Sequence, residues 1–318
     1  MNFLRLLPVF GIALIGAAPA FAADKVHLGK AEAVPLSFIP ADIGVEKGFF
    51  AKYGLDVEIS DMGGDAKLQQ ALAAGSLDFG MGSGPSMAFA VKGSPSIAVA
   101  AFAAEPRNMI VLVNADSPLK TVDDLKGKLI GVSSKGSLTD WLANRIAVRE
   151  NWEPGSIRTL GLGTFDASFA AVRTHQTDAM VTAVEKGLQF EQQGIGRILL
   201  GFETIAPHFH THVVLARRAL ITENPDLVTR FLKGFFAAIH FMKTNKDESV
   251  AIAAKNLRQD PAVMSHSYDR EIAMLENDGH FDPEAIALLK ESFVEMGTLP
   301  EKPRDDQMFV STFVPVKP

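Results

Sequence analysis

Apolar and polar positions along the chain alternate in short runs separated by longer periodic stretches. In Leu55–Ser60 every second residue is Leu, Val or Ile, the two-residue period of a strand with one polar face. Ile97–Ala103 and Met109–Val113 are apolar throughout, as strands buried on both faces are. Gly63–Gly84, GGDAKLQQALAAGSLDFGMGSG, reads as a helix from Asp65, a glycine stop at Gly75, a strand at Leu77–Met81 and a glycine-rich turn. Gly163–Val184, GTFDASFAAVRTHQTDAMVTAV, repeats that plan. Asp65 and Asp166 stand where an N-cap belongs, and Asp78 and Asp178 where the following strand begins. Two such units predict two similar lobes with a cleft between them.

Val26–Gly29 predicts a first strand and Ala41–Gly48 a helix. The polar break Glu105-Pro106-Arg107-Asn108 marks a first crossing into a second lobe. There Leu129–Val132, Ile157–Leu162, Ala179–Val184 and Arg197–Leu200 predict strands. Thr121–Leu125, Ser137–Arg149, Asp166–Thr174 and Glu185–Gln192 predict helices between them. Thr211–Ala216 predicts the second crossing. Asn224–Thr244, Lys246–Leu257, Pro261–Glu276 and Asp282–Glu295 then predict a helical tail packed against the first lobe and its hinge. The alternation implies α/β lobes with mostly parallel sheets. The expected division puts residues 23–106 with 217–318 in one lobe and 107–216 in the other.

Composition narrows the class. Met1–Ala22 carries one basic residue, Arg5, an apolar run Leu6–Ala18 and an A-x-A site at Ala20-Phe21-Ala22, the pattern of a cleaved export signal. That run is too short to span a bilayer, which takes about 20 apolar residues. Removing Arg5 takes the formal net charge of −6 to −7, which gives no electrostatic reason to bind nucleic acid or an anionic membrane. The chain has no cysteine, which excludes disulfides, thiolate metal sites, a cysteine nucleophile and a lipidated N-terminal cysteine. A soluble protein diffusing freely in a periplasm is the expectation.

Open α/β sheets bind ligands beyond the C-terminal ends of their strands. This selects Ser37 and Phe38, Gly64 and Asp65, and Ser83 in the first lobe, and Ser134, Lys135, Phe165, Asp166 and Glu185 in the second. The turns lead into helix starts, whose free N–H groups favour an anionic or acceptor-rich ligand. Lys135, and Arg107 beside the hinge, add cations for a carboxylate or sulfonate. Phe38 and Phe165 offer ring faces to a planar solute. Asp65 and Asp166 would repel an anion and suit an amine or a hydroxyl. His208, His210 and His212 share a face if the segment is a strand, and three imidazoles suit zinc or copper. Parallel side chains on a flat strand converge poorly, so cleft lining, assigned to His208, is preferred to a metal site. For an enzyme, Glu185 near His208 is the one acid–base combination on offer.

Four stretches resemble the periplasmic substrate-binding proteins of ABC importers, of the nitrate, sulfonate and taurine type that also binds pyrimidine precursors of thiamine. They are GVEKGFFAKYGLDVEI (Gly44–Ile59), QQALAAGSLDFGMGSG (Gln69–Gly84), DLKGKLIGVSSKGS (Asp124–Ser137) and NPDLVTRFLKGFFAAI (Asn224–Ile239). The resemblance implies a type II, two-lobed α/β fold with a two-strand hinge and a helical C-terminal segment. It implies ligand contacts at Ser37, Phe38, Gly64, Asp65, Ser83, Ser134 and Phe165. The enzymes within that group use cysteine motifs, which this chain lacks. The combined expectation is a non-catalytic monomer without cofactor or metal. It captures a small anionic organic solute, a sulfonate or aromatic carboxylate, for a membrane permease.

Overall fold

The computed structural model describes residues 23–31 and 35–317. The expected export signal, residues 1–22, and part of the loop after the first strand, residues 32–34, lie outside them. The first lobe begins with β1 (Asp24–Lys30), α1 (Ile39–Glu46), β2 (Leu55–Asp61), α2 (Asp65–Ala73), β3 (Phe79–Ser83), α3 (Ala88–Val91) and β4 (Ser96–Ala103). The chain crosses to β5 (Met109–Asn114), β6 (Leu129–Val132), α4 (Leu138–Arg149), β7 (Arg158–Gly161), α5 (Phe165–Arg173), β8 (Ala179–Ala183), α6 (Val184–Gln192) and β9 (Gly196–Gly201). It then returns to β10 (His212–Arg217), followed by helices α7 (Arg218–Glu223), α8 (Pro225–Thr244), α9 (Lys246–Leu257), α10 (Pro261–Glu271), α11 (Pro283–Glu295) and α12 (Asp305–Met308).

The strands form two sheets of equivalent order, β2-β1-β3-β10-β4 and β7-β6-β8-β5-β9. In each, the first three strands are parallel and the fourth runs antiparallel to both neighbours. The internal sequence repeat is a structural one. Asp78 accepts from the His27 N–H at 2.9 Å, and Asp178 accepts from the Leu129 N–H at 2.8 Å, so each aspartate ties the start of one strand to its parallel neighbour.

The paired N-caps do not form as expected. Gly64 is the N-cap of α2, and Thr164, accepting from the Ala167 N–H, is that of α5. Gly64 has φ 128°, a conformation that suits glycine and lets the helix begin at Asp65 itself. The Asp65 carboxylate is thereby freed to bind the end of β3.

The second crossing, expected over Thr211–Ala216, runs into β10, which inserts between β3 and β4 of the first sheet. Its VVLA core is apolar on both faces and would suit the middle of either sheet, so the choice is made by long-range pairing.

Apolar residues recur at i, i+3 and i+4 along α8, the stripe expected of a helix packed on a sheet. Leu227, Val228, Phe231, Leu232, Phe235, Ile239 and Met242 are all buried on it. Phe231 stacks on Phe79 of β3 at 4.0 Å and on Phe50 at 5.2 Å. Burial of each such ring stabilises the fold by about 2–3 kcal/mol. Helix α10 ends at Glu271, not Glu276, and one 3-10 turn (Ile272–Met274) follows. The tail packs on the first lobe as expected, but α10 also packs on α6, so it reaches the second lobe too.

Candidate ligand site at the lobe junction

Five buried polar side chains from five segments of the chain meet where the lobes touch. The 3-10 turn after β1 (Leu36–Phe38) supplies Ser37, and β10 supplies His212. The first crossing supplies Asn108, the first turn of α6 supplies Glu185, and the last residue of α10 is Glu271. All are 5 % exposed or less. The Asn108 amide nitrogen stands 3.3 Å from Ser37 Oγ and 2.9 Å from His212 Nε2. Across the junction, the Leu36 N–H donates to Glu185 Oε1 at 2.7 Å. Phe38 and Phe102 close the apolar side, with ring centroids 4.7 Å and 5.6 Å from the imidazole of His212.

What sets this cluster apart is its unmet hydrogen-bonding capacity. Asn108 Oδ1, Glu185 Oε2, both carboxyl oxygens of Glu271 and His212 Nδ1 are buried without a hydrogen-bond partner. Buried polar groups normally have partners, because each one stranded costs about 1–3 kcal/mol. Burial raises the Glu185 carboxyl above its ordinary range, opposed by the Leu36 N–H. Glu271 is raised well above the ordinary value, by burial first and then by the facing charge of Glu185. Burial likewise lowers His212 to about 3, so its ring is neutral and adds no positive charge.

The NMT1/THI5 like family model matches residues 37–249, which take in the second lobe, most strands of the first, the start of the tail and four of the five junction residues. The chain belongs to that family. It is 28% identical over 291 residues to a putative binding protein of Brucella abortus, covering 83% of this chain and 84% of the relative. It is 25% identical over 254 residues to a putative thiamine biosynthesis protein of Haemophilus influenzae, covering 76% of each. The fold is that of the periplasmic aliphatic sulphonate binding protein of Escherichia coli, with a TM-score of 0.77 and 22% identity over 90% of this chain and 97% of that one.

Within this NMT1/THI5-like chain the sequence-selected residues divide into two groups. Ser37, Phe38 and Glu185 are brought together at the junction. Asp65 accepts from the Ser83 N–H at 3.0 Å and from Ser83 Oγ–H at 2.6 Å, and the Gly64 N–H donates to Ala31 O at 2.7 Å, so these three brace the first lobe's strand ends.

The cations chosen for an anion are engaged elsewhere. Arg107 pairs with Glu105 at 2.7 Å, and Lys135 turns to Thr159 and Asp140 on its own lobe. Ser134 and Asp166 are exposed, and Phe165 stacks on Phe190 at 5.5 Å.

The histidines do not act together. His208 is exposed beside Glu284 at 3.3 Å, His210 accepts from the Asp282 N–H at 2.9 Å, and His212 faces Asn108. The segment 208–211 is not strand, so the shared face assumed for it does not exist. Among the described residues no three His, Asp or Glu side chains gather as a metal site. Nor is the acid–base combination assembled, since Glu185 and His208 have separate partners.

Two junction residues carried no functional assignment from sequence, Asn108 and Glu271. Glu271 did leave a trace: Val263, Met264, Ser267, Tyr268 and Glu271 form one buried stripe of α10. An acid on the buried stripe of an amphipathic helix is an anomaly that asks for a partner.

Proposed function

We propose that this protein is the solute-binding component of an ABC import system. In this reading it is a periplasmic monomer that closes its two lobes on a small organic solute and presents the closed form to a membrane permease. The observation that carries the reading is the set of unpartnered polar atoms at the junction, contributed by both lobes and the tail. A permanent interior would pair such atoms or replace them with apolar groups. A site that opens to take up solute leaves them to water in one state and to ligand in the other. Among the described residues no helix is long and apolar enough to cross a membrane. The relatives' names as binding proteins, and the sulphonate-binding neighbour, support transport over catalysis. An anionic solute is not favoured, because Lys135 and Arg107 are each paired with an acid of their own lobe or crossing segment.

The test is a thermal-shift screen of the mature protein against sulfonates, aromatic carboxylates, pyrimidines and amines. A true solute raises the midpoint in a saturable way, by the equivalent of about 2.7 kcal/mol at a hundred times its Kd. It is recovered chemically unchanged after long incubation. Steady conversion of the stabilising compound would make the protein an enzyme instead.

A further inference from the structure

We infer that the solute is an organic cation bearing N–H donors, held between Glu185 of the second lobe and Glu271 of the tail. This rests on the solute-binding reading and specifies its ligand. Glu185 has one oxygen occupied by the Leu36 N–H and one without a partner, while Glu271 faces that carboxyl group and the Ser37 N–H with neither oxygen in a well-formed hydrogen bond. Beside them lies Asn108 Oδ1, also unpartnered and buried. These are all acceptors, and a ligand that satisfies them must bring donors.

Among the described residues no basic side chain pairs directly with either carboxyl group, and Arg270 and Lys186 act on them only from a distance. The basic residues adjacent in sequence turn aside. Lys186 lies over the ring of Phe165 at 5.3 Å, and Arg270 is held by Glu203 at 3.2 Å and by the Arg107 carbonyl at 3.1 Å. His212, packed alongside from β10, is neutral. Two buried carboxyl groups with no paired cation can be neutralised by a shared proton or by a positively charged ligand. An anion would bring negative charge beside two acids that already oppose one another.

The position of the two acids explains how the cation is coupled to closure. Glu185 and Glu271 sit on α6 of the second lobe and α10 of the tail, helices that pack on each other. With the cleft open each carboxylate is hydrated and stable alone. With it closed they oppose one another unless a cation lies between. Differential affinity of this kind is what ligand-driven closure requires.

The experiment uses the mature chain, stripped of bound solute by unfolding and refolding, at pH 7.5. The probes are butylamine, butylguanidine and benzamidine, with tetramethylammonium as a cation lacking N–H, benzoate and methanesulfonate as anions, a neutral pyrimidine, and Ca2+ and Mg2+. The expected result is saturable stabilisation by at least one N–H cation and not by tetramethylammonium. Glu271→Gln and Glu185→Gln each weaken that binding at least tenfold while retaining the wild-type circular dichroism spectrum. Calorimetry in buffers of different ionisation enthalpy should show a proton released as the cation enters.

A flat response to every N–H cation overturns the inference. Stabilisation by anions, by the neutral pyrimidine or by the metal ions alone also overturns it. The anion or pyrimidine result leaves the solute-binding reading standing. A flat response to the whole set counts against both.

Discussion

Glu271 is the residue on which the ligand-free protein should be most sensitive to pH. Its folded-state carboxyl is raised well above 4.5, so the folded protein binds a proton that the unfolded chain has released. Stability from such a group is full below the unfolded value and is lost as pH rises through the folded one. Glu185 and the buried Asp65 act in the same direction. His210 and His212 act oppositely, since burial lowers them to about 4 and about 3 against 6.5 unfolded. Their contribution rises with pH and is complete above 6.5, where the decline caused by the acids remains, joined by that of His280, whose ring the Asp278 carboxylate raises above 6.5. The midpoint of urea unfolding of the ligand-free protein should therefore fall between pH 6.5 and pH 8.5. Glu271→Gln should flatten that slope and raise stability at pH 8 by about 1–3 kcal/mol. An unchanged slope in the variant would remove Glu271 as its source. At this scale the sequence discloses Glu185, which follows a strand end, but leaves Glu271 silent. Its neighbour across the junction is 86 positions earlier in the chain, and no local pattern encodes that meeting.

Among the elements, the turn at Gly84 is the tightest. A β-carbon there would lie 1.8 Å from the carbonyl oxygen of His210, and the Gly84 N–H donates to Thr211 O at 2.8 Å. Backbone meets backbone, so neither side can yield by changing rotamer. Gly84→Ala should cost about 2–3 kcal/mol in urea denaturation and displace the returning crossing. A neutral result would mean that the two segments separate without loss. A second element-scale prediction concerns α8: Phe231→Ala removes the ring between Phe79 and Phe50 and should cost about 3–5 kcal/mol, read the same way. Most elements are legible from periodicity, including the duplicated helix–strand unit and the four long helices of the tail. What periodicity leaves open is β10, because a run apolar on both faces names no partner strand.

For the whole molecule, the second lobe is tied to the tail by contacts well separated in sequence. The Trp141 indole N–H donates to Glu295 at 2.6 Å, and Arg145 pairs with the same carboxylate at 3.2 Å. Trp141 also stacks on Phe209 of the returning crossing at 4.6 Å. These contacts join α4 of the second lobe to α11 of the tail, and under the proposed solute-binding function they oppose opening. Glu295→Ala should favour the open form, weakening solute binding about three- to tenfold with little effect on the unfolding of either lobe. Small-angle scattering of the unliganded variant should show a larger radius of gyration than wild type. Equal radii and equal affinity would mean that Glu295 contributes nothing to closure.

The order of the two sheets bears on how the chain acquires its shape during synthesis. All strands of the second sheet come from one continuous stretch, Met109 to Gly201. The first sheet is different: the place between β3 and β4 is filled by His212–Arg217, made after the whole second lobe. A ribosome reading from the N-terminus thus releases β4 with no strand to join it to β2-β1-β3 until two thirds of the polypeptide exists. A fragment of residues 105–211 should accordingly give a cooperative unfolding transition, whereas residues 23–104 should remain unfolded or aggregate through the exposed edges of β3 and β4.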